Sequence, residues 1–74
     1  MKFNNLRRFR KDQKMSVREL SVIADVSTAT IVGIERYGLY PQAPLRGKLS
    51  KALGMSEAAI WPSIEVTEAV SDGK

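Results

Sequence analysis

Apolar positions in this chain fall into short groups at helical spacing, separated by capped or glycine-containing breaks. Phe3, Leu6, Phe9 and Arg10, then Gln13, recur at the period of a first helix, which Asn4 or Asn5 can cap. Its other face carries Arg7, Arg8 and Lys11, and Lys14-Met15 reads as a connector. Ser16-Val17-Arg18-Glu19 spells a capping box. In that motif the serine hydroxyl accepts from the amide three residues on, while Glu19 reaches back to the cap amide. Val17, Leu20, Ile23 and Ala24 then supply the apolar face of a second helix of about two turns.

Ala24-Asp25-Val26 is the expected turn. Asp25 stands where a left-handed residue is wanted, a conformation that suits glycine best and that aspartate tolerates. Ser27 caps a third helix, with Val26, Ile31 and Ile34 inward. Thr28, Ala29, Val32, Gly33 and Arg36 fall on the outward side, a face that is small and apolar apart from Arg36. Gly33 inside a helix costs about 1 kcal/mol relative to alanine. Its presence therefore implies either a packing site where another helix comes close or close approach of a ligand. Tyr37 to Ala43 reads as a loop, punctuated by Gly38 and Pro41. Pro44 suits the first turn of a fourth helix with Leu45, Leu49, Ala52 and Leu53 on its apolar side and Gly54 as C-cap. Ser56 caps a last single turn, Glu57 to Trp61, ended by Pro62. Trp61 reads as a core plug or a dimer contact in preference to a base-stacking platform.

Charge sharpens this picture. The 74 residues carry a net charge of +4, unevenly spread. Residues 1–14 hold six basic side chains against one acidic, whereas residues 63–74 hold three acidic against one basic. A basic N-terminal third suits a polyanionic partner, although a solvated helix face would look the same. The acidic stretch 63–74 reads as a tail apart from the domain of residues 1–62; Ile64, Val66 and Val70 hint weakly at strand alternation. The chain contains no cysteine and no histidine. That removes disulfides, the usual zinc ligands, and the usual general base or nucleophile near neutral pH. No glycine-rich phosphate loop is present, and neither a catalytic site, a metal nor a cofactor is expected. The N-terminus has positive charge without the apolar run of a secretory signal, and no stretch approaches the roughly 20 apolar residues of a membrane span. A soluble, cytoplasmic protein is expected.

Two short capped helices joined by a tight turn make a helix-turn-helix pattern over about 16–36. The chain resembles the phage Cro/repressor-type, or XRE-type, helix-turn-helix regulators. The resemblance rests on Leu6…Arg10, Ser16-Val17-Arg18-Glu19-Leu20, Val26-Ser27-Thr28-Ala29-Thr30-Ile31, Ile34-Glu35-Arg36, Pro41 and Leu49-Ser50-Lys51-Ala52-Leu53-Gly54. It implies an all-α, compact bundle of five short helices encoded by a bacterium or phage. It implies that Ser27, Thr28, Ala29, Val32 and Gly33 sit where base edges are read. Ser16, Val17, Arg18, Thr30, Arg36 and Tyr40 would face phosphates, and Arg10 and Glu35 would form an ion pair between the first and third helices.

The chain departs from the family pattern at four positions. Val17 stands where a phosphate-binding glutamine is common, Ser21 where alanine is usual, and Asp25 and Tyr37 where glycine is common. Arg18 is the expected substitute for the glutamine amide. Ala29 and Gly33 have no side-chain hydrogen bond to give a base. Readout is therefore expected from thymine methyls against Thr28, Ala29 and Val32, and from DNA shape. The implied function is a transcriptional regulator, a repressor that binds a palindromic site on double-stranded DNA as a homodimer. The dimer contact is expected near Glu57, Ala58 and Trp61. A protein-interaction module or antitoxin-like regulatory subunit, using the same small-residue face, is the alternative reading.

Overall fold

The computed structural model describes residues 4–62. Phe3 of the first apolar group and the tail 63–74, with its suggested strand alternation, lie outside the described residues. Within them the chain is all-helical: α1 (Leu6–Asp12), α2 (Val17–Ala24), α3 (Thr28–Tyr37), α4 (Ala43–Leu53) and α5 (Glu57–Ile60). α2 packs against both α3 and α4, α1 against α3, and α5 against α4. No helix among the described residues is long and apolar enough to cross a membrane.

Local chemistry sets the helix boundaries. Ser16 accepts from the Glu19 amide at 3.0 Å, and the Glu19 carboxylate accepts from the Ser16 amide at 2.8 Å, which completes the capping box. Ser27 and Ser56 accept from the amides of Thr30 and Ala59, each at 3.1 Å. Such caps each contribute about 1 kcal/mol by satisfying amides that the helix leaves unpaired. Asp25, Gly38 and Gly54 close α2, α3 and α4 in the left-handed region, with φ of 59°, 73° and 67°. α1 starts differently. Asn5 occupies its cap position without a side-chain bond, and Asn4 Oδ1 instead accepts from the Leu6 amide at 3.0 Å. The stretch expected as a loop shortens at both ends, because Tyr37 completes α3 and Ala43 opens α4.

The core gathers Leu6, Leu20, Ala24, Val26, Ile31, Ile34, Leu49, Leu53, Ile60 and Trp61, with Phe9, Met15, Val17, Leu45, Ala52 and Met55 around it. Ile23 is a correction to the sequence reading. It is 57% exposed, beside Val22 at 74%. Leu20 and Ala24, one helical turn apart, aim α2 at its neighbours. Ile23 is rotated about 100° from Ala24, away from the line that faces the core.

Polar side chains fasten α1 to the other elements. Asn4 donates to the Ile34 carbonyl at 3.0 Å, Asn5 to the Ala59 carbonyl at 2.9 Å, and Gln13 to the Leu53 carbonyl at 2.7 Å. Arg10 does most. Its Nε and Nη2 donate to the two carboxylate oxygens of Glu35 at 2.7 and 3.0 Å, and its Nη1 donates to the Met15 carbonyl at 2.7 Å. Both side chains of this pair are almost fully buried. The hydrogen bond to Glu35 raises the Arg10 pKa above its ordinary value against the opposing effect of burial, so the guanidinium stays charged.

Removing one member leaves the other charged and buried. We expect Glu35→Ala to cost about 3–5 kcal/mol, a large part of the roughly 4–11 kcal/mol typical for a chain of this length. The double replacement Arg10→Met/Glu35→Leu should recover most of that loss, because no buried charge remains unpaired. Urea unfolding followed through Trp61, the sole tryptophan, measures both. A loss under about 1 kcal/mol for Glu35→Ala would show that water or other groups replace the carboxylate.

Candidate nucleic-acid interface

α3 follows α2 after a three-residue break, Asp25-Val26-Ser27. Ile31 and Ile34 point into the core and fix the rotation of α3. That leaves Thr28, Ala29 and Arg36 exposed and Val32 half-buried on the opposite side. Arg36 is displaced by seven residues from Ala29 and four from Val32, so all three lie along one outward stripe. Among the described residues no salt bridge engages Arg36.

Gly33 lies against the loop that follows its own helix. A Cβ at this position would sit 3.4 Å from Leu39 Cδ2 and 3.7 Å from Leu39 Cβ. The Gly33 carbonyl also accepts from the Leu39 amide at 3.1 Å. The close neighbour of Gly33 is thus the loop that follows its own helix. Thr30 is likewise engaged locally, since its hydroxyl lies 2.8 Å from that of Ser27.

The N-terminus of α2 presents a second surface. Ser16 is occupied on both its hydroxyl and its amide by the capping box, so the amides that remain for an anion are those of Val17 and Arg18. Val17 packs on the core with its side chain, whereas Arg18 is exposed. The exposed cations Arg7, Arg8, Lys11 and Lys14 extend along α1 toward Arg18. None of the five forms a salt bridge among the described residues. Lys14 itself takes a left-handed conformation, φ 59°, where the chain turns from α1 toward α2.

Tyr40 lies farther along the chain. Its ring packs edge-on to Trp61 with centroids 6.1 Å apart, and the Arg46 guanidinium stands 4.6 Å from its centroid. Arg46 was not singled out by the sequence reading. It also donates to the Pro41 carbonyl at 2.8 Å and pairs with Glu57 at 3.0 Å, which ties the α3–α4 loop to α5. Its position four residues after Gln42, the α4 cap, carried no distinguishing sequence signal.

Of the two roles expected for Trp61, the core plug is the one seen. Trp61 is 3% exposed and belongs to the core with Ile60, its ring edge-on to Tyr40. Ala58 is exposed, and Glu57 is exposed but engaged by Arg46. No protein-family model matches this chain, and no curated protein matches it in sequence.

Gly33→Ala separates packing from ligand approach. Leu39 is a flexible, half-exposed side chain that can yield by a few tenths of an ångström. The substitution should therefore stabilise the fold by up to about 1 kcal/mol through helix propensity. A loss of stability in thermal unfolding would show that the Leu39 contact is rigid.

Proposed function

We propose that this chain is a sequence-specific, DNA-binding transcription regulator. In this reading α2, the Asp25-Val26-Ser27 turn and α3 act as a helix-turn-helix of the Cro/repressor type, with α3 in the major groove. The observation that carries it is the outward stripe of α3. That stripe is held in place by the buried Arg10–Glu35 pair, and the cations at the start of α2 and along α1 form no salt bridge among the described residues. Thr28, Ala29 and Val32 read thymine methyls and groove shape. The α2 amides of Val17 and Arg18, the Arg18 side chain and Arg36 hold phosphates, where positive charge and unpaired N–H groups favour an anion. Ser27 and Thr30 contribute mainly by fixing the start of α3, and Tyr40 by bracing the following loop. The protein acts in the cytoplasm as a repressor and a homodimer, with the surface around Ala58 at the contact and recognition helices about 34 Å apart on a palindromic site.

The small, nearly uncharged surface formed by Thr28, Ala29 and Val32 favours a second reading, in which the same face docks a protein partner as an interaction module or antitoxin-like subunit.

Selection of binding sites from a random duplex library, followed by a salt titration of the winner, tests the proposal. A dimer that contacts about six phosphates should give a log–log slope near −5. Arg18→Ala or Arg36→Ala should each flatten that slope by about one unit per copy without changing sequence preference. Val32→Ala should alter preference at one position and leave the slope alone. Failure to enrich any motif would overturn the reading in favour of a protein partner.

A further inference from the structure

Three helices end in a left-handed cap, and after one of them the chain returns differently. Asp25, Gly38 and Gly54 close α2, α3 and α4 in that conformation. The residue after such a cap commonly brings an apolar side chain back to its own helix. After α2 and α4 its amide reaches back five residues: Val26 donates to the Ser21 carbonyl and Met55 to the Ser50 carbonyl, each at 3.1 Å. Val26 is buried in the core and Met55 packs against it. After α3 the reach is one residue longer. The Leu39 amide donates to the Gly33 carbonyl at 3.1 Å, alongside the Gly38 amide. The Leu39 side chain does not join the core and is 48% exposed.

Leu39 lies instead on the outer half of α3. A Cβ at Gly33 would sit 3.4 Å from Leu39 Cδ2, so the leucine stands where a side chain at position 33 would project. That direction is outward. Gly33 follows Ala29 by one helical turn, on the side of α3 away from the buried Ile31 and Ile34. A side chain of the loop thereby takes the place of one that α3 lacks, and about half of its apolar surface is left uncovered by the fold.

We infer that Leu39 is a specificity-determining residue of the interface, covering the C5 methyl group of one thymine in each half-site. The inference rests on the nucleic-acid reading above and adds to it a base-reading side chain from outside α3. Leucine has no side-chain hydrogen bond to offer a base. The thymine methyl is the apolar group that base edges present in the major groove, so an aliphatic side chain there selects thymine. Covering one methyl group favours binding by about three- to fivefold.

The test uses the full chain and the duplex it selects from a random library. Each thymine of one half-site is replaced in turn by deoxyuridine, which removes a methyl group and leaves base pairing intact. At one position the replacement should weaken binding of the unaltered chain by about three- to fivefold. The same replacement should have almost no effect on Leu39→Ala and should keep its effect on Leu39→Met. Repeated selection with Leu39→Gln, which preserves most of the side-chain length, should lose the thymine at that position. Thermal unfolding checks that the variants fold. Deoxyuridine effects that match at every position between the unaltered chain and Leu39→Ala would overturn the inference and leave the nucleic-acid reading standing. So would a selected half-site without thymine. A change spread over all thymines would overturn it too, because Leu39 would then act through the placement of α3. Failure of the unaltered chain to enrich any motif would overturn the nucleic-acid reading and this inference with it.

Discussion

Arg10 places a full positive charge in a core otherwise built from aliphatic residues and Trp61, and the arrangement of the helices depends on how that charge is met. The guanidinium fork can be satisfied only where a carboxylate presents both oxygens in its plane. Glu35 does so from the third turn of α3, and the Met15 carbonyl takes a further N–H from the side of the connector. One side chain of α1 therefore sets the rotation of α3 and the path of the chain into α2. Buried pairs of this kind add little net stability over apolar packing but penalise arrangements that separate the partners. Here that penalty supports the orientation of α3, because the face of α3 that meets Arg10 determines which face looks outward.

The short helices need this polar fastening. α1 contributes Leu6 to the fully buried set, with Phe9 only partly covered. Asn4, Asn5 and Gln13 compensate by donating to carbonyls at the ends of α3, α5 and α4. Those carbonyls lie at or near helix C-termini, where the backbone leaves acceptors unpaired. The same bonds that hold α1 thus help to terminate its neighbours, and the bundle closes without a large apolar interior.

Surface chemistry follows from that closure. With Ile31 and Ile34 inward, α3 shows Thr28, Ala29, Val32 and Arg36. With Leu20 and Ala24 inward, α2 shows Arg18, Val22 and Ile23. Among the described residues Arg7, Arg8, Lys11, Lys14 and Arg18 stay exposed on α1, the connector and the start of α2, whereas Arg10 is drawn into the interior. The outward faces of α2 and α3 consequently differ: one is apolar with a basic rim, the other small with a single guanidinium at its end.

Much of this was legible in the sequence where the governing interaction is local. Ser16, Ser27 and Ser56 act within three residues of themselves, and Gly38 and Gly54 supply the left-handed backbone that ends a helix, so the five helices and their breaks could be read directly. Asp25 was readable for the same reason, as was the inward set of Leu20, Ala24, Ile31, Ile34, Leu49 and Leu53, which helical periodicity alone defines. The Arg10–Glu35 pairing, 25 residues apart, came from family resemblance and not from spacing. What only the tertiary structure decided was which borderline positions find a neighbour. Ile23 and Trp61 are both apolar, yet Ile23 is more than half exposed and Trp61 is covered. Gly33 reads from sequence as a ligand approach or a packing site for another helix, whereas its neighbour is Leu39 of the loop that follows α3. The roles of Asn4, Asn5, Gln13 and Arg46 depend on carbonyls and carboxylates brought near them by the fold. Periodicity and capping report interactions along the chain, whereas these contacts exist only once separate helices have been brought together.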